Sequence, residues 1–294
     1  MDPNIVILAG GISSRMKNSP AKDVEIGSGL LLEAEKKPKA MIGVGMHGRP
    51  LLDFLLYNIK TSGYEEAVIV IGENDMHFRE YYGDASDQER SFGLKISYAI
   101  QKIPVGRSKP LGTADALHCA LLARRDWKGK QFTVCNSDNI YSQQALGLLR
   151  ESHHPCALID YDRDALGFEQ SRIEQFAIVT KNAEGFLTDI IEKPGPEELR
   201  TAADASGRVG ISMNIFRFSY DVVMPYLEKT PLHPVRMEKE IPAAVKMLIR
   251  DHPNSVGTIP LAEYVPDLTM KGDIPKVQEY LKREFPFLSV REHA

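Results

Sequence analysis

Ile5-Val6-Ile7-Leu8-Ala9-Gly10-Gly11-Ile12-Ser13-Ser14-Arg15-Met16 is the stretch on which the fold turns. Ile5 to Leu8 are apolar without interruption and three of the four are β-branched, the signature of a parallel strand covered on both faces. Gly10 and Gly11 follow at once, where the backbone must turn sharply and let a ligand approach its N–H groups. Ser13 and Ser14 are placed to cap a following helix, whose N-terminus favours anions. Arg15 adds a planar fork of donors that suits phosphate oxygens. The stretch predicts a seat for a polyphosphate. The spacing is neither G-x-G-x-x-G nor a P-loop, so by itself it is equally an ordinary strand-to-helix turn with a surface arginine.

The rest of the chain narrows the choice. Of its 294 residues, 43% are hydrophobic and 26% charged, a globular composition with room for one large α/β domain. A formal charge of −4 offers no basic field for nucleic acid. Cys119, Cys135 and Cys156 are odd in number and lack C-x-x-C spacing, which argues against a disulfide framework or a zinc site and for the cytoplasm. No apolar run approaches the about 20 residues of a membrane helix, and the N-terminus enters a strand without a basic leader.

Further strands are expected over 67–71, 94–100 and 132–135, alternating with helices after Pro50, over 76–82 and from Gly112-Thr113 with Ala114, Leu117, Leu121 and Leu122 as its apolar face. That alternation implies a parallel sheet, in which ligands bind outside the carboxyl ends of the strands. Gly10-Gly11, Gln101 and Asp138 all follow strand ends and are predicted to face one crevice. The second half carries short strands with close turn signals, at 156–161, 175–180, 187–191 and one long strand over 208–218, so antiparallel pairing is expected there. Residues 17–37 are polar and read as a mobile loop, a lid or an interface. No linker separates the halves. The expected organisation is a single domain over 1–294, with a nucleotide-binding half over 1–150 and a sugar-phosphate half over 151–294.

Several motifs together resemble a known family. Leu8-Ala9-Gly10-Gly11-x-x-x-Arg15-Met16 with Lys37-Pro38-Lys39 is similar to the signature of the sugar-1-phosphate nucleotidylyltransferases. Leu111-Gly112-Thr113-Ala114-Asp115-Ala116-Leu117 resembles their nucleotide-binding segment, and Asn136-Ser137-Asp138-Asn139 their metal-binding aspartate. Ile191-Glu192-Lys193-Pro194, Gly210-Ile211-Ser212-Met213-Asn214-Ile215-Phe216 and Glu238-Lys239-Glu240-Ile241 resemble their sugar-phosphate motif, sugar-pocket strand and Glu-x-Glu-Ile helix start. Singly, Lys39 and Lys193 are ordinary solvated lysines, Asp138 a helix cap and Glu240 a first-turn acid. Their order along the chain carries the resemblance.

The resemblance implies a GT-A-like fold with a mixed, mostly parallel central sheet flanked by helices and a smaller antiparallel part on the substrate side. It implies Mg²⁺-dependent transfer of a nucleotidyl group from a nucleoside triphosphate to a sugar 1-phosphate. Arg15 and Lys39 then take catalytic roles at the phosphates. Ala9, Gly10, Gly11, Gln101, Gly112 and Thr113 bind the nucleotide. Glu192, Lys193, Gly210 and Asn214 bind the sugar phosphate, and Asp138 and Asp267 hold the metal. Leu268-Thr269-Met270-Lys271 departs from the family's Ile-Gly-Thr-Pro after that late aspartate, which keeps Asp273 as an alternative ligand. Arg15 and Lys39 stand 24 positions apart (39 − 15), farther than the family pattern, so 17–36 reads as an insertion. Because the sequence ends soon after these motifs, no hexapeptide-repeat domain is expected. Base, sugar and oligomeric state stay open, although such enzymes are often homo-oligomers. Rival readings are transfer to another phosphorylated acceptor and a non-catalytic regulator that binds nucleotide sugars.

Overall fold

A computed structural model describes residues 2–20, 26–83, 90–204 and 206–289. Ten strands form one sheet: β1 (Asn4–Leu8), β2 (Glu66–Gly72), β3 (Lys95–Gln101), β4 (Gln131–Asn136), β5 (Cys156–Asp162), β6 (Ala177–Lys181), β7 (Leu187–Glu192), β8 (Gly210–Ser212), β9 (Phe216–Ser219) and β10 (Val256–Leu261). Their order is β3-β2-β1-β4-β9-β5-β8-β6-β7, with β10 beside β5. β3, β2, β1 and β4 run parallel; antiparallel pairing begins where β4 meets β9.

Alternation along β1 shows why this strand sits in the middle. Ile5 and Ile7 enter one core, with the helices Leu51–Thr61, Gln143–Glu151 and Ile274–Glu284. Val6 enters the other, under the helices Thr113–Ala123, Tyr220–Lys229 and Ile241–Asp251. A strand apolar on both faces is stable only between two such layers. The three cysteines are free thiols. No helix among the described residues is long and apolar enough to cross a membrane.

Three expectations change. Residues 28–36 are a helix rather than a loop: Ala34 is buried, and Glu33 takes the Gly43 N–H (2.8 Å) and pairs with Lys37 (2.9 Å). The sequence Leu30-Leu31-Leu32-Glu33-Ala34 is rich in good helix formers, so propensity and packing agree. Part of the remainder, 21–25, lies outside the described residues. The expected single strand over 208–218 is two strands, β8 and β9, because Asn214 takes a left-handed conformation (φ 57) that no strand accommodates. Asparagine is among the few side chains that tolerate it. Leu122 is 43% exposed and does not belong to its helix's packed face.

Candidate active site

The carboxyl ends of β1, β3 and β4 open into a cleft of about 870 Å³. Leu8 of β1 pairs with Asn136 of β4, and Ser137 N–H donates to the Leu8 carbonyl (3.2 Å), so the glycine turn and Asp138 leave the sheet side by side. Gln101 ends β3 opposite Gly72 of β2. Ala9, Gly10, Gly11 and Arg15 line the cleft together with Lys39, Gln101, Gly112, Thr113 and Asp138. Glu192 and Lys193 beyond β7, Asn214 between β8 and β9, and Asp267 complete the convergence. Every site residue expected from the sequence lines this cleft except Gly210.

Gly210 lies behind the wall. A Cβ there would overlap Asp160 Oδ1, and Asp160 is fully buried with Lys181 (2.6 Å) and Arg208 (2.7 Å) on its other oxygen. Its glycine is required by that close approach to a buried carboxylate, not by a substrate. Ser13 also departs from expectation. It precedes the short helix Ser14–Asn18 with φ 56, and its side chain makes no cap hydrogen bond.

Backbone conformation marks the same place. Ser13, Lys193 and Asn214 all have positive φ without being glycine, as does Met237 between the cleft residues Arg236 and Glu238. Such conformations cost about 1–3 kcal/mol each and gather where surrounding structure aims a side chain at a task.

The charges are arranged in pairs. Lys39 Nζ donates to Asp138 Oδ2. Asp267 accepts from Arg172 Nη2 (2.8 Å) and Thr269 Oγ1 (2.8 Å), and Arg172 also grips Asp273. The two aspartate loops are stitched through the Asn139–Asp267 bridge and the Leu268 N–H to Asp138 carbonyl bond (2.9 Å). Burial first, and then the charge of Asp138, push the Asp267 carboxyl above its ordinary range. Two carboxylates, Asp138 and Asp267, on stitched loops of one polar cleft are a donor set suited to a cation. Among the described residues no three or more His, Cys, Asp or Glu form a metal cage. A cation held by Asp138 and Asp267 would take the rest of its shell from oxygens of a bound ligand, the coordination that Mg²⁺ favours. Asp273 accepts from Arg172 and from the Thr269 and Met270 N–H groups.

On the opposite wall Arg236 bridges Glu192 and Glu240. Burial, then Glu192, raises the Glu240 carboxyl to about 8. Arg15 and Lys193 are exposed, and neither pairs with a carboxylate among the described residues. Both are thus available to an anionic ligand.

Sequence reading missed Arg172 and Arg236. Arg172 lies in a helix of four residues within a polar stretch, where no periodicity speaks. Arg236 had one signal, its place two residues before the Glu-x-Glu-Ile motif.

Comparisons with known proteins bear on the fold and the family. Over 97% of this chain and 100% of the other, the fold matches a crystal structure of UDP-glucose pyrophosphorylase complexed with UDP-glucose, with TM-score 0.70 and 15% identity. A putative glucose-1-phosphate thymidylyltransferase from Bacillus anthracis matches over 96% of both chains, with TM-score 0.64 and 18% identity. The architecture is that of the nucleotide-diphospho-sugar transferases. The chain belongs to the nucleotidyl transferase family, whose model matches residues 32–264. It is 24% identical to the bifunctional protein GlmU of Staphylococcus epidermidis over 256 residues, 85% of this chain and 46% of that one. It is also 24% identical to a glucose-1-phosphate adenylyltransferase of Koribacter versatilis over 228 residues, 76% of this chain and 50% of that one. The chain therefore spans about half the length of the curated relatives it matches.

Proposed function

We propose that this protein transfers a nucleotidyl group from a nucleoside triphosphate to a sugar 1-phosphate, releasing pyrophosphate. The observation that carries this reading is the meeting of Arg15, Lys39, Asp138 and Lys193, from four separate segments, in one cleft. The relatives' names, which include glucose-1-phosphate adenylyltransferase, support the acceptor class.

In this reaction an oxygen of the acceptor phosphate bonds to the α-phosphorus while the bridging bond to the β-phosphate breaks. That oxygen is ionised at neutral pH, so no general base is required. The protein must supply alignment and charge neutralisation. Arg15 holds the leaving β- and γ-phosphates and Lys39 the α-phosphate. Gly10 and Gly11 bring their backbone against the triphosphate, and Gln101 and Gly112 meet the base. Lys193 binds the phosphate of the sugar phosphate, with Glu192 and Asn214 on the sugar. Asp138 and Asp267 hold Mg²⁺, which when bound neutralises phosphate charge. Residues 1–150 then take the nucleotide and 151–294 the acceptor.

The test is pyrophosphate release by purified protein with Mg²⁺, each common triphosphate and a panel of sugar 1-phosphates. Turnover with a sugar 1-phosphate is expected. Turnover only with a phosphorylated alcohol would move the acceptor class, and tight nucleotide-sugar binding without turnover would make the protein a regulator.

A further inference from the structure

At the end of β3, neighbours dictate which way an amide points. Gln101 is 3% exposed and lines the cleft. Its Nε2 donates to the Gly112 carbonyl (2.9 Å) and to Asp115 Oδ2 (2.8 Å). A carbonyl and a carboxylate only accept. A flipped amide would set its oxygen against two oxygens and leave Asp115 Oδ2 without this donor, although the Gly112 carbonyl would still take the Ala116 N–H (3.0 Å). The NH₂ end is thereby committed to the first turn of the helix Thr113–Ala123. Oε1 is left on the side of Gly10, where an added Cβ would come within 3.0 Å of it. Gly10 also lines the cleft, and among the described residues no donor is bonded to Oε1.

Packing fixes the frame that holds this pair. Gly112 has φ 105, and a Cβ there would press on the Lys239 carbonyl. Ala114 N–H donates to that same carbonyl (3.0 Å), and the Thr113 hydroxyl accepts from Ile241 N–H (3.1 Å). The start of this helix cannot turn to offer Gln101 a different partner. Asp115 itself does not line the cleft.

We propose that Asp115 is a positioning residue for base recognition: by holding the Gln101 amide nitrogen it leaves Oε1 to the cleft, so that the nucleotide is read through an N–H of its base. This rests on the cleft being a triphosphate site. A base edge that presents only lone pairs to Gln101 meets oxygen against lone pair and is rejected, because a buried acceptor left unpaired carries its full desolvation cost.

Calorimetry on the full chain, with whichever of ATP, GTP, CTP, UTP and dTTP binds tightest, tests the idea. Asp115→Leu removes the acceptor and is expected to weaken binding about tenfold, the scale of one buried hydrogen bond. Asp115→Asn keeps an acceptor oxygen and is expected to restore binding to within about twofold. In a Gln101→Leu background, Asp115→Leu should weaken binding no further, since its effect passes through an amide that is gone. Thermal melting of each free variant separates lost binding from lost fold. The inference is overturned if Asp115→Leu binds like the parent, if Asn and Leu weaken binding equally, or if the Leu effect persists without Gln101. If the parent binds none of the five triphosphates, the triphosphate reading itself falls, and this inference with it.

Discussion

Two walls of the same cleft are built by different means. On one, Gly10, Gln101 and Asp138 leave three strands of one parallel ladder, β1 and β4 side by side and β3 one strand away across β2, and their places follow from its continuous backbone hydrogen bonds. On the other, the segments that follow Arg15 and Asp267 are tied to each other by a strap through Lys271. The Lys271 N–H donates to Ser19 Oγ (3.0 Å), while Lys271 Nζ reaches the Lys17 carbonyl (3.3 Å) and Glu35 Oε1 (3.4 Å). Lys271 is only 6% exposed. The two places where the sequence departs from the family pattern, the 17–36 insertion and Leu268-Thr269-Met270-Lys271, therefore touch each other.

The sheet-borne side should break hard and the strap gently. Gly210→Ala forces a Cβ into the buried Asp160 carboxylate behind the sheet and should cost about 3 kcal/mol in denaturant unfolding. A variant as stable as the parent would mean that the two are not in contact. Lys271→Met keeps the stem packed and loses only the ammonium's bonds, so about 1 kcal/mol is expected. It should also raise the KM for triphosphate severalfold with little change in kcat, because the segment that follows Arg15 is held less firmly. Equal loss of kcat would argue that the strap does more than hold.

The smallest effect concerns pH. Glu240 is raised from 4.5 to about 8 in the folded protein by burial and by Glu192. The folded state thus binds a proton that the unfolded state has released. This stability is present in full below about pH 4.5 and is lost as pH rises through about 8. Glu240→Gln should flatten that decline in melting temperature across the window. An unchanged slope would assign it to other groups.

Much of the sheet-borne wall was legible because strand ends are legible: runs of apolar residues stop where Gly10, Gln101 and Asp138 begin. The strap was not, since Ser19 and Lys271 are 252 positions apart and neither carries a periodic or turn signal. The break at Asn214 was hidden by apolar neighbours that suit a strand on both sides. Gly210 was legible as a special glycine but given the wrong reason, because nothing in its neighbourhood points to Asp160, fifty positions earlier (210 − 160).

The central claim is that Asp138 acts at a phosphate site shared with Arg15, Lys39 and Lys193. Single-turnover formation of nucleotide sugar by Asp138→Asn, beside a melting curve of the same variant, tests it most directly. The account predicts a rate at least about 10²-fold below the parent with melting little changed; a variant that keeps the parent's rate would contradict it.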